Sequence, residues 1–363
     1  MNSIDPIKLL RPEVRKFKPY TPSQTLEQIS KETGIPVKNL IKLDTGENPY
    51  IENYQNKELI RKIRLYSYPD PLSSDLRNKL SEYTGFSADS IICGNGSDEL
   101  IDLLIRAFVA PGEEIIINPP TFPMYEFSAQ LSGAKVKAIL RNTDFSIDPG
   151  KVIKSIGKKT KLVFIESPGN PTGTIIPLET FEKIIRSGVM VVADEAYFEY
   201  CGKTVLPLLS KYPNLIVIRT LSKWAGIAGL RVGYAVARPE IIKVLLSIKQ
   251  PYNVSSIGQV FSCYMLDNRK KVLAELKKIT AFRDAMFRML SRFKELIVFP
   301  SEGSYVVVKP KNEPEKLYLF LRKNGILVKK INQPLLENCF RINVARQKEI
   351  NRMDQVLTDY FLK

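Results

Sequence analysis

Seven short apolar runs, each followed by a longer amphipathic stretch, constrain this 363-residue chain more than any other feature. They read SIIC (90–93), EEIIIN (113–118), AKVKAIL (134–140), TKLVFIE (160–166), VMVVAD (189–194), NLIVIR (214–219) and LRVGYAVA (230–237). Strands alternating with helical segments predict a mainly parallel α/β sheet. The nearly continuous β-branched character of KLVFIE and VMVVAD suits strands covered on both faces. After KQPYNVSS (249–256) a long amphipathic helix begins, and GSYVVVKP and CFRINVA come next as strands of a second unit. Residues 35–250 are therefore expected to form a large domain and 251–363 a smaller α+β domain. The proline-rich residues 1–34 are expected to pack with the smaller one.

Composition narrows the chemistry. The chain has no histidine, which removes Ser-His and Cys-His nucleophiles and every histidine metal site. Its four cysteines, Cys93, Cys201, Cys263 and Cys339, are far apart and read as reduced packing residues, and no metal site is expected. The net charge of +16 is spread among acidic residues along helical stretches, as on a solvated surface or one that steers small anions. With two units accounting for the length, neither a nucleic-acid partner nor a membrane partner is expected. The start of the chain lacks the unbroken apolar stretch of a signal peptide, which points to the cytoplasm.

In open α/β sheets ligands bind outside the carboxyl ends of the strands, so the residues just after each strand matter most. SIIC leads into GNGSDE, where glycines turn into a helix; the amides of Ser97 and Asp98 suit an anion, although both residue types are also ordinary caps. PPTFPMY offers the ring of Phe122, to a planar ligand or to the core. SPGNPTG places Asn170 in a proline-stiffened turn, and Asp194 ends a buried strand, where a carboxylate is costly unless it faces a cation. Lys223 comes directly after NLIVIRTLS. Together these match pyridoxal phosphate, which needs a lysine for its Schiff base, an acid at its ring nitrogen, phosphate ligands and an aromatic stacker.

LDTGENP, YPDP, GNGSDE, PPTFPMY, SPGNPTG, DEAY, RTLSKWAGIAGLRVGY and FRINVA resemble the class I and II aminotransferases, and among them most closely the histidinol-phosphate aminotransferases. The resemblance runs from about residue 18 to residue 346. It implies the fold type I architecture of pyridoxal-phosphate-dependent transferases, with a mostly parallel seven-stranded sheet in the large domain. It implies that Lys223 forms the Schiff base and moves the substrate proton, that Asp194 pairs with the ring nitrogen, and that Asn170 and Tyr197 bond the ring's phenolic oxygen. Ser222, Arg231, Ser97 and Asp98 would hold the phosphate, with Phe122 on the ring. Tyr68 of YPDP would reach the cofactor of a second subunit, so a homodimer with shared sites is implied.

For substrate, the resemblance points to Arg341 as the carboxylate clamp and to Tyr20 as a ligand of a substrate phosphate. Lys329 stands where the family has an arginine, and Ser304 where it more often has asparagine. The activity implied is transfer between L-histidinol phosphate and 2-oxoglutarate, a step of histidine biosynthesis. An aromatic amino acid aminotransferase and a threonine-phosphate decarboxylase are the alternatives on the same fold.

Overall fold

The computed structural model describes residues 5–15, 17, 22–54, 57–61 and 63–361. Among the described residues twelve strands form two sheets: β1 (Ile41–Leu43), β2 (Ile91–Asn95), β3 (Glu114–Ile117), β4 (Lys135–Ala138), β5 (Thr160–Glu166), β6 (Met190–Asp194), β7 (Leu215–Thr220), β8 (Val232–Val236), β9 (Leu296–Phe299), β10 (Tyr305–Pro310), β11 (Ile326–Gln333) and β12 (Leu336–Asn343). All seven expected strands form, and they make one sheet in the order β2-β8-β7-β6-β5-β3-β4. Within it β4, β3, β5, β6 and β7 pair in parallel, while β8 runs antiparallel to both neighbours.

Every residue of β7 and β8 is buried, as expected for strands covered on both faces, and their one charged side chain, Arg219, is paired with Glu195 at 2.8 Å. One face packs against the helix Gly96–Phe108 through Leu100, Ile101, Leu103, Leu104 and Ile105. The opposite face carries a larger cluster that includes Trp224 and Phe181.

The second sheet has the order β1-β11-β12-β10-β9 and is antiparallel except for the β1–β11 pair. The helix Arg269–Leu290 joins the two cores. Val272, Leu276 and Ile279 pack with the larger sheet's cluster, whereas Met286, Met289 and Leu290 belong to the smaller sheet's own.

The boundary expected at residue 35 falls differently. Ile41–Leu43 pairs with Ile326–Val328 and so belongs to the smaller sheet. Three residues are too short to declare a sheet partner by their own periodicity, and β11 supplies it. The amino-terminal residues also divide. Arg322 holds Gln24 and Glu32 beside the smaller sheet, but Phe17 meets Phe127 edge-on at 4.8 Å, and Arg11 Nη2 donates to the Leu131 carbonyl. Lacking a continuous apolar face, this segment lies along both units rather than one. The four cysteines are free.

Candidate active site

The carboxyl ends of β3, β5, β6 and β7, the start of the helix Gly96–Phe108 and strands β11 and β12 enclose a cleft of about 810 Å³. Its lining includes Ser97, Asp98, Phe122, Asn170, Asp194, Tyr197, Ser222, Lys223, Arg231, Lys329 and Arg341. Eleven of the thirteen expected site residues are thus brought together. Tyr68 is 78% exposed, outside the cleft, stacked on Tyr252 at 4.5 Å. Tyr20 lies outside the described residues.

Asp194 ends β6 and is only 6% exposed. Its Oδ2 accepts from the Tyr125 hydroxyl at 2.7 Å and its Oδ1 from the Ala196 amide at 3.0 Å. Burial pushes this carboxyl up to about 6, against the pull of those two donors. Lys223 lies just beyond β7, and burial pushes its amine down to about 8, with the charge of Arg341 adding to the effect. A lysine so perturbed gives up its proton near neutral pH far more readily than an ordinary one.

Gly46 shows how closely these groups converge. Its φ is +75°, and a Cβ there would stand 3.3 Å from Lys223 Nζ, 3.4 Å from Asn343 Nδ2 and 3.5 Å from the Tyr197 hydroxyl. Glycine accepts this left-handed backbone and keeps the space clear.

At the start of the helix Gly96–Phe108, Arg231 Nη2 bonds Asp98 at 2.7 Å. A Cβ on Gly96 would collide with that same nitrogen, so the helix start has room for the guanidinium only as glycine. Ser222 is buried beside Thr220, whose hydroxyl lies 2.9 Å from its own. The Ser222 hydroxyl, the Arg231 guanidinium and the helix-start amides form a cradle of donors suited to a phosphate.

The opposite end is built by the smaller sheet. Arg341 Nη1 donates to Asn170 Oδ1 at 2.8 Å and Nη2 to the Asp44 carbonyl at 2.9 Å. Its buried Nε has no partner among the described residues. Lys329 stands directly across from Arg341 in the β11–β12 register, and burial and that arginine's charge both push its amine down. Ser304 is buried before Tyr305, whose hydroxyl bonds the Gly169 carbonyl and whose ring lies 5.4 Å from the Arg341 guanidinium.

Sequence reasoning missed Glu166, Tyr125, Asn343 and Gln333. Glu166 ends β5 just as Asp194 ends β6, and the two are paired in register. The rule that singled out Asp194, a carboxylate ending a buried strand, applies equally to Glu166. Tyr125, Asn343 and Gln333 carried no local signal.

The cleft fits pyridoxal phosphate. It offers an amine for the aldehyde, a buried acid, a ring face in Phe122, a donor cradle for the phosphate and an unpartnered guanidinium nitrogen beyond them. Fold and site together define an enzyme of amine chemistry.

Residues 38–357 match the model of the aminotransferase class I and II family, and the chain belongs to that family. It is 37% identical over 362 residues to a histidinol-phosphate aminotransferase of Roseiflexus castenholzii, covering 97% of this chain and 98% of that protein. It is 38% identical over 352 residues to the protein of the same name from Dehalococcoides mccartyi, covering 96% and 97%. The fold is that of the histidinol-phosphate aminotransferase from Sinorhizobium meliloti, solved in complex with pyridoxal-5'-phosphate. That likeness has a TM-score of 0.85 at 22% identity and covers 97% of each chain.

Proposed function

We propose that this enzyme transfers an amino group between glutamate and imidazole acetol phosphate, forming 2-oxoglutarate and L-histidinol phosphate, with pyridoxal phosphate as cofactor. The observation that carries the substrate reading is the pair Lys329 and Arg341, facing each other across β11 and β12 in the cleft that holds Lys223. Two adjacent cations at the substrate end suit an anion there, a carboxylate in one half-reaction and a phosphate in the other. Relatives at 37% and 38% identity bear the same name.

When bound, pyridoxal phosphate supplies a ring that takes the electron pair left at an amino-acid Cα and carries the amino group from one half-reaction to the next. Lys223 Nζ, its proton affinity lowered by burial, takes the Cα proton and returns it on the other side of the exchange. Asp194, fixed by Tyr125 and Ala196, would hold the ring nitrogen in its protonated form. Asn170 and Tyr197 would donate to the phenolic oxygen. Arg231, Ser222 and the amides of Ser97 and Asp98 would hold the phosphate, and Phe122 would cover the ring. Arg341 orients the substrate carboxylate with its rigid fork of donors, and Lys329 adds a point charge suited to phosphate.

We further read the working unit as a homodimer in the cytoplasm, with Tyr68 and Tyr20 completing the sites. Tyr68 is exposed together with Leu65 and Tyr66, and a second copy of the chain would cover all three. No helix among the described residues is long and apolar enough to cross a membrane.

The test is a visible spectrum of the purified protein titrated with L-histidinol phosphate. The cofactor band should convert on adding the amine donor and return with 2-oxoglutarate. A band that stays unmoved by histidinol phosphate would remove the substrate assignment. Release of carbon dioxide from threonine phosphate without consumption of 2-oxoglutarate would replace it with a decarboxylase.

A further inference from the structure

Beside Asp194 the cleft contains a second buried carboxylate to which the proposed reaction assigns nothing. Glu166 is 2% exposed and both its oxygens are occupied. Oε1 accepts from the Thr121 hydroxyl at 2.7 Å and from the Phe122 amide at 2.5 Å. Oε2 accepts from the Asn170 amide at 2.7 Å, with Arg141 Nη2 at 4.0 Å. Arg141 is itself fixed, donating from Nε to the Asn118 carbonyl at 3.0 Å and from Nη1 to the Phe145 carbonyl at 3.1 Å.

Three donors bond this carboxylate and Arg141 faces it at ion-pair distance, a setting that suits an ionised group able only to accept. The donors share a place in the chain. Thr121 and Phe122 belong to the loop after β3, and Asn170 to the loop after β5. These are the loops that carry the ring-stacking side chain and the partner of Arg341.

The same loops reach the smaller sheet. Gln333 at the end of β11 accepts from the Thr121 amide at 2.9 Å and donates to the Thr121 carbonyl at 3.0 Å. Arg341 of β12 bonds Asn170. Glu166 is the point at which the two loops meet, one tied to β11 and the other to β12.

We infer that Glu166, countered by Arg141, is a positioning residue that fixes the loops of Phe122 and Asn170 against each other and so sets the seat of the cofactor ring. This role rests on pyridoxal phosphate being the cofactor. A glutamine in its place would keep the volume but turn an NH₂ group toward donors on one side, leaving at least one buried amide or hydroxyl without an acceptor. Valine at 121 would remove a single donor with little change of shape.

The test compares wild type with E166Q and T121V, each stripped of cofactor and reloaded with pyridoxal phosphate. Three quantities are read: the dissociation constant by equilibrium dialysis, the circular dichroism of the bound cofactor's visible band, and the melting midpoint without cofactor. E166Q should weaken binding about tenfold and T121V by about threefold, the sizes expected for charged and partial hydrogen-bond losses. In both, the dichroic band should change in amplitude, because the ring sits differently. Wild-type affinity and an unchanged band in E166Q would overturn the inference. A lowered melting midpoint with an unchanged band would do so too, since it would reduce Glu166 to a support of the fold. If E166Q does not fold, T121V decides alone: an altered band supports the positioning role and an unaltered one ends it. Failure of the wild type to take up pyridoxal phosphate at all would instead sink the cofactor reading itself.

Discussion

The two ends of the cleft are made in different ways. At the cofactor end, the groups proposed to hold the ring and phosphate sit at the rim of one sheet, within residues 95–231, each at or just beyond a strand terminus or at a helix start. At the substrate end, Arg341 on the smaller sheet bonds Asn170 on the larger one and the carbonyl of Asp44 near the start of the chain. The first end is rigid because the sheet's strands fix it. The second is rigid only while two sheets keep their relative positions, so substitutions there should alter substrate affinity while sparing cofactor retention.

Removing the amine strikes the cofactor end hardest. Lys223→Ala should lower turnover by about 10⁴-fold or more, the upper range for losing a positioned acid–base group. Single-turnover assays that find near wild-type rates would break the assignment. At the other end, Arg341→Ala should raise the KM for glutamate roughly a hundredfold, as expected for loss of a charge-assisted pair, while the cofactor's dissociation constant stays within about twofold. Equal effects on both constants would erase the distinction between the ends.

Tyr68 tests whether the cofactor end is complete within one chain. Tyr68→Ala should weaken cofactor binding about tenfold, the size of one charged hydrogen bond, and the wild type should lose activity on dilution to monomer. Full activity in a monomer shown by sedimentation would remove the partner from the site. A subtler change is Lys329→Arg, which restores a fork of donors and should lower the KM for histidinol phosphate about threefold. An increase would place Lys329 in a role other than phosphate binding.

The smallest effect concerns stability without cofactor. Lys223 binds its proton more weakly folded, at about 8, than unfolded at 10.5, so the wild type gains stability as pH rises through that window. Lys223→Met removes the penalty. Its melting midpoint at pH 7 should exceed that of the wild type by a few degrees, and the gap should close toward pH 10. A gap that is constant with pH would mean that the amine is not perturbed.

How far the sequence could be read respects the same division. The strands of the larger sheet were legible because burial on both faces demands uninterrupted apolar runs, and the residues after each run were legible as rim residues. Glu166 was legible by that rule and went unnoticed beside the more distinctive SPGNPTG. Asn343 and Gln333 were not legible, since nothing near them in the chain announces that Gln333 will bond Thr121 across 212 positions. Nor did the short IKL run reveal that β1 would leave the larger sheet for β11.

Sequence by itself determined the parallel sheet, the order of the rim residues and the kind of cofactor they suit, because these depend on spacing along single strand-to-loop connections. Tertiary structure alone decided that Lys329 faces Arg341, that Arg341 reaches Asn170, and that Glu166 ties two loops together. The first is set by strand register within the smaller sheet, the third by two loops of the larger one, and the second by the packing of one sheet against the other. No local pattern encodes any of the three, because each joins residues far apart in the chain or in different strands, and the sheet-to-sheet contact draws on burial summed over both cores.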